Sequence, residues 1–153
     1  MKTARQLSIF LLLISALSAY YASYQMIIDP TGNSLGLPFY LLNGTLLNSY
    51  SVVGWILLVS VAVFSSFSLI MIIVRCRFYS FLIILQGVII CIFVVMQMFL
   101  VGETFIIQYV SLIFGAGLIG LGILQNQRKM AVDIEKKVLR EQKSHHHKHR
   151  KHR

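Results

Sequence analysis

The chain has 153 residues, 57% of them hydrophobic and 12% charged, with a formal net charge of +9 and a pI near 9.9. That length gives one compact bundle and leaves no separate soluble domain of useful size. In a soluble protein such a charge would suggest a nucleic-acid binder, but ten of the fourteen Lys and Arg follow position 127, against only Asp133, Glu135 and Glu141, so the cationic excess belongs to the tail.

Lys2 and Arg5 precede a first apolar run over 7–28, and three more follow at 51–74, 78–101 and 104–124. None of the four contains Asp, Glu, Lys, Arg or His. At a rise of ~1.5 Å per residue each reaches ~31–36 Å, enough to cross a hydrocarbon core of ~30 Å with some tilt. A soluble core helix of that length would carry a polar stripe at helical period, whereas these runs are apolar all round. Ala16 and Ser18 behind Lys2 and Arg5 also fit a cleaved signal peptide. The apolar stretch nevertheless continues through Tyr20, Tyr21 and Met26 to Ile28, which favours an uncleaved anchor; cleavage would leave three spans and the rest of the topology unchanged.

Arg75 and Arg77 lie between the second and third runs, and the basic tail follows the fourth, so the positive-inside rule puts both termini in the cytoplasm. The connections that face outward, residues 29–50 and the pair Gly102 and Glu103, carry no Lys or Arg. Asp29, Pro30, Thr31 and Gly32 suit a type I turn with an Asx acceptor. Pro38 can open a short interfacial helix through Leu42 that ends near Gly44, with Phe39, Tyr40, Tyr50 and Trp55 as headgroup-level anchors. Asn43, Gly44 and Thr45 form a glycosylation sequon, relevant only in a eukaryotic secretory pathway. The short later connections require antiparallel neighbours. The expected fold is therefore all-α, a transmembrane four-helix up-down bundle over 1–126 with a basic cytoplasmic tail over 127–153.

Small residues mark expected packing seams: Ser8, Ser15, Ser18 and Ala22 in the first run, Ser65 and Ser68 in the second, Ser111, Gly115 and Gly122 in the fourth, with Ala116 and Gly120 on a nearby face. Gln86 and Gln97 share a face of the third helix at different depths. Gln25, Asp29, Gln97, Glu103 and Gln108, with Thr104, all belong to the outer end and make a loose polar cluster. It reads either as a vestibule for a cation or polar head group or as interhelical hydrogen bonding, and the second is favoured because both carboxylates sit at the water boundary.

No catalytic, cofactor-binding or metal-binding set is expected. The spans hold no imidazole for haem or a metal, and no CxxC pair for a disulfide oxidant is present. A small multidrug exporter would keep a carboxylate inside its first span. Cys76, between two arginines, and Cys91, inside the third run, lie at different levels and are not expected to pair. In the tail, 125–143 can extend the fourth helix with Met130, Ile134 and Val138 along one stripe and Asp133 and Lys137 as an ion pair. From Ser144 onward, five His and four Lys or Arg with no acid read as solvated coil lying against anionic lipid headgroups; the irregular histidine spacing specifies no metal site.

Asp29-Pro30-Thr31-Gly32, then Leu35-Gly36-Leu37-Pro38, Leu42, Gly44, Tyr50 and Gly54, and later Gln97, Leu100, Gly102 and Gln108 resemble the pattern of an uncharacterised family of small four-span bacterial membrane proteins. The resemblance covers roughly residues 7–124 and omits the His-rich tail. It implies a bacterial inner membrane and supplies no activity. The expected role is an interaction or accessory component without catalytic activity, with a homo-oligomer or a membrane protein as possible partner and nucleic acid disfavoured. The alternative is an oligomeric small transporter or channel with a polar outer vestibule.

Overall fold

The computed structural model describes residues 2–36, 49–101 and 106–151. The described residues form an all-α up-down bundle with four helices long and apolar enough to cross a membrane, and the chain is an integral membrane protein. Helix α1 (Lys2–Ile28) is the first span. The second joins α2 (Tyr50–Leu57), a π-helical stretch (Leu58–Val63) and α3 (Phe64–Ile73); α4 (Tyr79–Val101) and α5 (Ile106–Lys151) complete the set. They close a ring in which α1 packs on the second span and on α5, while α4 packs on α5 and α3. Even in the best-covered span only 33% of the most apolar window is buried. The remaining apolar surface requires lipid, since water would not tolerate it. The interfacial helix expected at 38–42, the sequon at Asn43 and the connection holding Glu103 lie outside the described residues.

Each span buries one stripe. In α1 it runs Ser8, Leu12, Ala16, Ala19, Ser23 and Met26; Ser18 of the expected small-residue seam is exposed and Ser15 and Ala22 are half-buried. Only Leu12 and Met26 are large among these, so the stripe is still made mostly of small residues, placed where α1 meets the second span and α5. In α5 the buried stripe is Gln108, Gly115, Leu118, Gly122 and Gln125, with Ser111 half-buried between, a three-four spacing that holds one face toward α4 and α1. The second span buries Tyr50, Gly54 and Leu57 ahead of the wide turn, the adjacent pair Val61 and Ala62 within it, and Ser65, Ser68 and Ile72 after it. The π-helical stretch thus inserts one residue and shifts the buried stripe by one position.

Glycines set how closely the helices approach. A Cβ built on Gly87 would stand 2.6 Å from the Gly115 carbonyl oxygen, and one on Gly122 would stand 2.5 Å from Ile84 and 3.1 Å from the Ser80 carbonyl oxygen. On the α1 side, a Cβ at Gly54 would meet Met26 at 2.9 Å. Backbone-to-backbone contact at small residues is how helices associate in lipid, where no hydrophobic force separates helix from solvent. By contrast Ala116 and Gly120, also expected to pack, are exposed, and nothing lies within 4 Å of a Cβ on Gly120.

The turn between α3 and α4 closes as a Schellman motif: Cys76 N donates to Met71 O at 3.1 Å and Arg75 N to Ile72 O at 3.2 Å. Arg75 takes the left-handed position with φ 58°, where glycine is usual, and this costs about 1–2 kcal/mol. Lys129 of α5 then caps the turn, its Nζ 3.3 Å from the Tyr79 ring centroid and donating to Arg77 O at 3.3 Å. Beyond it α5 stays helical to Lys151, past the point where the sequence places solvated coil. No Gly or Pro follows Gly122 to stop it. Among the described residues no ion pair joins Asp133 to Lys137; both are exposed, where such a pair would add little.

The glycine contacts predict a contrast between two single-methyl changes. Gly87→Ala should lower the thermal midpoint in mild detergent, by overpacking of about 1–3 kcal/mol. Gly117→Ala, whose Cβ would find only Leu11 at 3.8 Å, should leave it unchanged or raise it. Equal midpoints for the two variants would contradict the close approach of α4 and α5.

Candidate functional site

At the end of the bundle where α1 leads into α2, Asp29 is committed to its own turn. Gly32 N donates to Asp29 O at 3.1 Å, closing the expected turn, and Thr31 N donates to Oδ1 at 3.1 Å. Thr31 Oγ1 also donates to Oδ1, while Ser34 donates to Oδ2 through both N and Oγ at 2.8 Å. Hydrogen bonds from the Thr31 side chain, then from Ser34, hold the Asp29 carboxyl well below the usual carboxylate range. A 3-10 turn, Asn33–Leu35, follows between two left-handed glycines, Gly32 and Gly36. Tyr50 N donates to Pro30 O at 3.2 Å, so this loop also seats the start of α2.

Three other members of the expected outer cluster, Gln25, Gln97 and Gln108, are among the described residues. Gln25 donates to the Tyr21 hydroxyl at 3.2 Å, one turn back on its own helix. Gln97 is half-buried on α4, and Gln108 is buried and engaged on the inner stripe of α5. Glu103 lies outside the described residues. Gln25 and Asp29, four apart in sequence, therefore take different partners, and Asp29 has its acceptor oxygens occupied by local donors.

The deeper polar groups lie toward the other end. Gln125 Nε2 donates to Ser8 Oγ at 2.8 Å and to Ala4 O at 3.3 Å, tying the inner end of α5 to the start of α1. Gln86 is fully buried on α4 and donates through Nε2 to Val61 O, inside the π-helical stretch, at 3.4 Å. Widening the helix there turns a backbone carbonyl toward a neighbour. Ser8, Ser60, Ser66 and Ser111 donate to the carbonyl four residues back, and Ser23 to the one three back. The buried hydroxyls of Ser65, Ser68 and Ser80, with Gln86 Oε1 and Gln125 Oε1, have no partner among the described residues. Sequence reasoning noted Ser65, Ser68 and Gln86 individually; what it lacked was the π-helical register shift that turns Val61 O toward Gln86.

These groups are amides and hydroxyls, which donate and accept hydrogen bonds. Among the described residues no group of three or more His, Cys, Asp or Glu is placed to hold a metal ion. Cys76 and Cys91 are free thiols, and Cys91 packs against Gly115. Comparison with protein-family models, with curated proteins and with solved structures gives no match to this chain.

The two buried glutamines should rank differently. Gln125→Leu removes a short inter-helix bond and should cost about 0.6–1.7 kcal/mol. Gln86→Leu should cost less, because its one bond is at the long limit of hydrogen-bond geometry, while both changes remove a buried amide oxygen that has no partner among the described residues. Chemical or thermal unfolding in detergent gives the ranking, and the reverse order would contradict these assignments.

Proposed function

We propose that this chain is a small bacterial inner-membrane protein, with both termini in the cytoplasm, that acts as an interaction or accessory component rather than as a catalyst. The carrying observation is the cytoplasmic extension of α5, where Met130, Ile134 and Val138 are 60%, 62% and 48% exposed on one side of the helix. Beyond the membrane such a stripe faces water, and an exposed apolar surface of this kind favours a partner. The arginines of the inner turn and the cationic tail support the orientation through the positive-inside rule, and the same charges favour anionic lipid headgroups.

The outer polar cluster fits this reading better than transport, since Asp29 and Gln25 are taken up by their own turns and leave little to receive a solute. In the transporter alternative, Gln97→Leu would abolish flux in proteoliposomes while the protein stays folded.

Extraction in mild detergent followed by native mass spectrometry tests the proposal. The wild type should carry a fixed stoichiometric companion, whether another polypeptide or a further copy of itself. The triple variant Met130→Ser, Ile134→Ser, Val138→Ser should lose it with the bundle's melting unchanged. A bare monomer together with Gln97-dependent flux would overturn the proposal.

A further inference from the structure

Resting on the orientation in that reading, we propose that the turn between α3 and α4, together with Lys129 of α5, holds the phosphate of an anionic phospholipid of the inner leaflet. Three cations meet there from two parts of the chain. Arg75 and Arg77 stand exposed on the turn, and Lys129 reaches it from α5, its Nζ 3.3 Å from Arg77 O and 3.3 Å from the Tyr79 ring centroid. An ammonium carries three donors and a guanidinium five, so the bond to Arg77 O leaves most of them for a ligand. Among the described residues no carboxylate pairs with any of the three; Asp133, the next acid along α5, lies one turn further from the bundle and is exposed. Gathered like charges repel one another, and an anion seated among them turns that repulsion into attraction.

Arg75 holds its place at a backbone cost. It is the one non-glycine residue with a positive φ, 58°, among the described residues. Glycine would close the same Schellman turn without strain, and strained backbone of this kind gathers at ligand sites. The surroundings of the cations favour a lipid over a water-soluble phosphate. Ile73, Val74 and Phe78 flank the arginines and are exposed, as are Ile123 and Leu124 of α5 just before Arg128 and Lys129. Apolar side chains on the membrane side and cations on the water side match the acyl chains and the phosphate of a phospholipid, at the depth where a leaflet places its headgroups. A free phosphate or a nucleotide would use the cations and leave the apolar rim unmatched.

Native mass spectrometry of the full chain in mild detergent, with phosphatidylglycerol or phosphatidylcholine added at equal concentration, tests this. Phosphatidylglycerol should be retained about tenfold better or more. The pair Arg75→Gly, Arg77→Gln should abolish the preference, whereas Lys137→Gln, Arg140→Gln, which removes the same charge from an exposed stretch of α5, should keep it. Arg75→Gly alone should weaken retention while raising the thermal midpoint, a pairing of signs that misfolding does not produce. Inorganic phosphate at the lipid's concentration should not displace it. Equal retention of the two lipids, a preference that survives loss of both arginines or falls equally in the control pair, or displacement by phosphate would overturn the proposal. A companion polypeptide is a separate mass in the same spectra, so the preference without a companion sinks only the interaction role, and a companion without the preference sinks only the lipid site. Labelling of Cys76 by an impermeant maleimide from outside intact cells would overturn the orientation and the inner-leaflet source together.

Discussion

The contact on which this structure depends is the near-touching of the α4 and α5 backbones at Gly87, Gly115 and Gly122. In lipid the tails are as apolar as the side chains, so burial alone does not hold helices together, and association rests on packing and a few hydrogen bonds. Backbone proximity at glycine maximises the first. Gln125 to Ser8 and Lys129 to Tyr79 and Arg77 supply the second, and both lie at the inner end, where α5 leaves the bundle. The long helix is therefore anchored on two sides at the place where it becomes an extension.

That anchoring gives α5 two distinct jobs. At ~1.5 Å per residue its 46 residues extend ~69 Å, more than twice a hydrocarbon core. One face of the first half closes the bundle. Its second half carries the exposed Met130, Ile134 and Val138 away from the bundle. At the outer end the Asp29 turn does structural work of a different kind, ordering the loop and receiving the first amide of α2 through Pro30. There Asp29 stabilises the fold locally through Thr31 and Ser34.

Much of this was legible in the sequence because the bilayer restricts the answer. Uncharged runs of spanning length could only be crossings, and the observed second span, Tyr50–Ile73, lies within one residue of the run at 51–74. The Asx turn was legible because Asp29, Thr31 and Gly32 act over short range. Three things were not. The π-helical stretch Leu58–Val63 is apolar like its neighbours, and only the shifted burial after Val61 reveals it. The fourth helix offers small residues at helical spacing on more than one face, and spacing alone cannot say that Gly115 and Gly122 turn inward while Gly120 turns out. Spacing also could not say that, within the outer cluster, Gln25 and Asp29 each take a partner close by in the chain, Tyr21 for the one and Thr31 and Ser34 for the other.

A nitroxide scan from position 106 to 138 in liposomes, read as collision with oxygen and with a water-soluble relaxer, tests the central account most directly. One protected stripe on α5 is predicted, running through Gly115, Leu118 and Gly122 and ending near Lys129. Uniform access around the helix, or a protected face that omits Gly115 and Gly122, would contradict it.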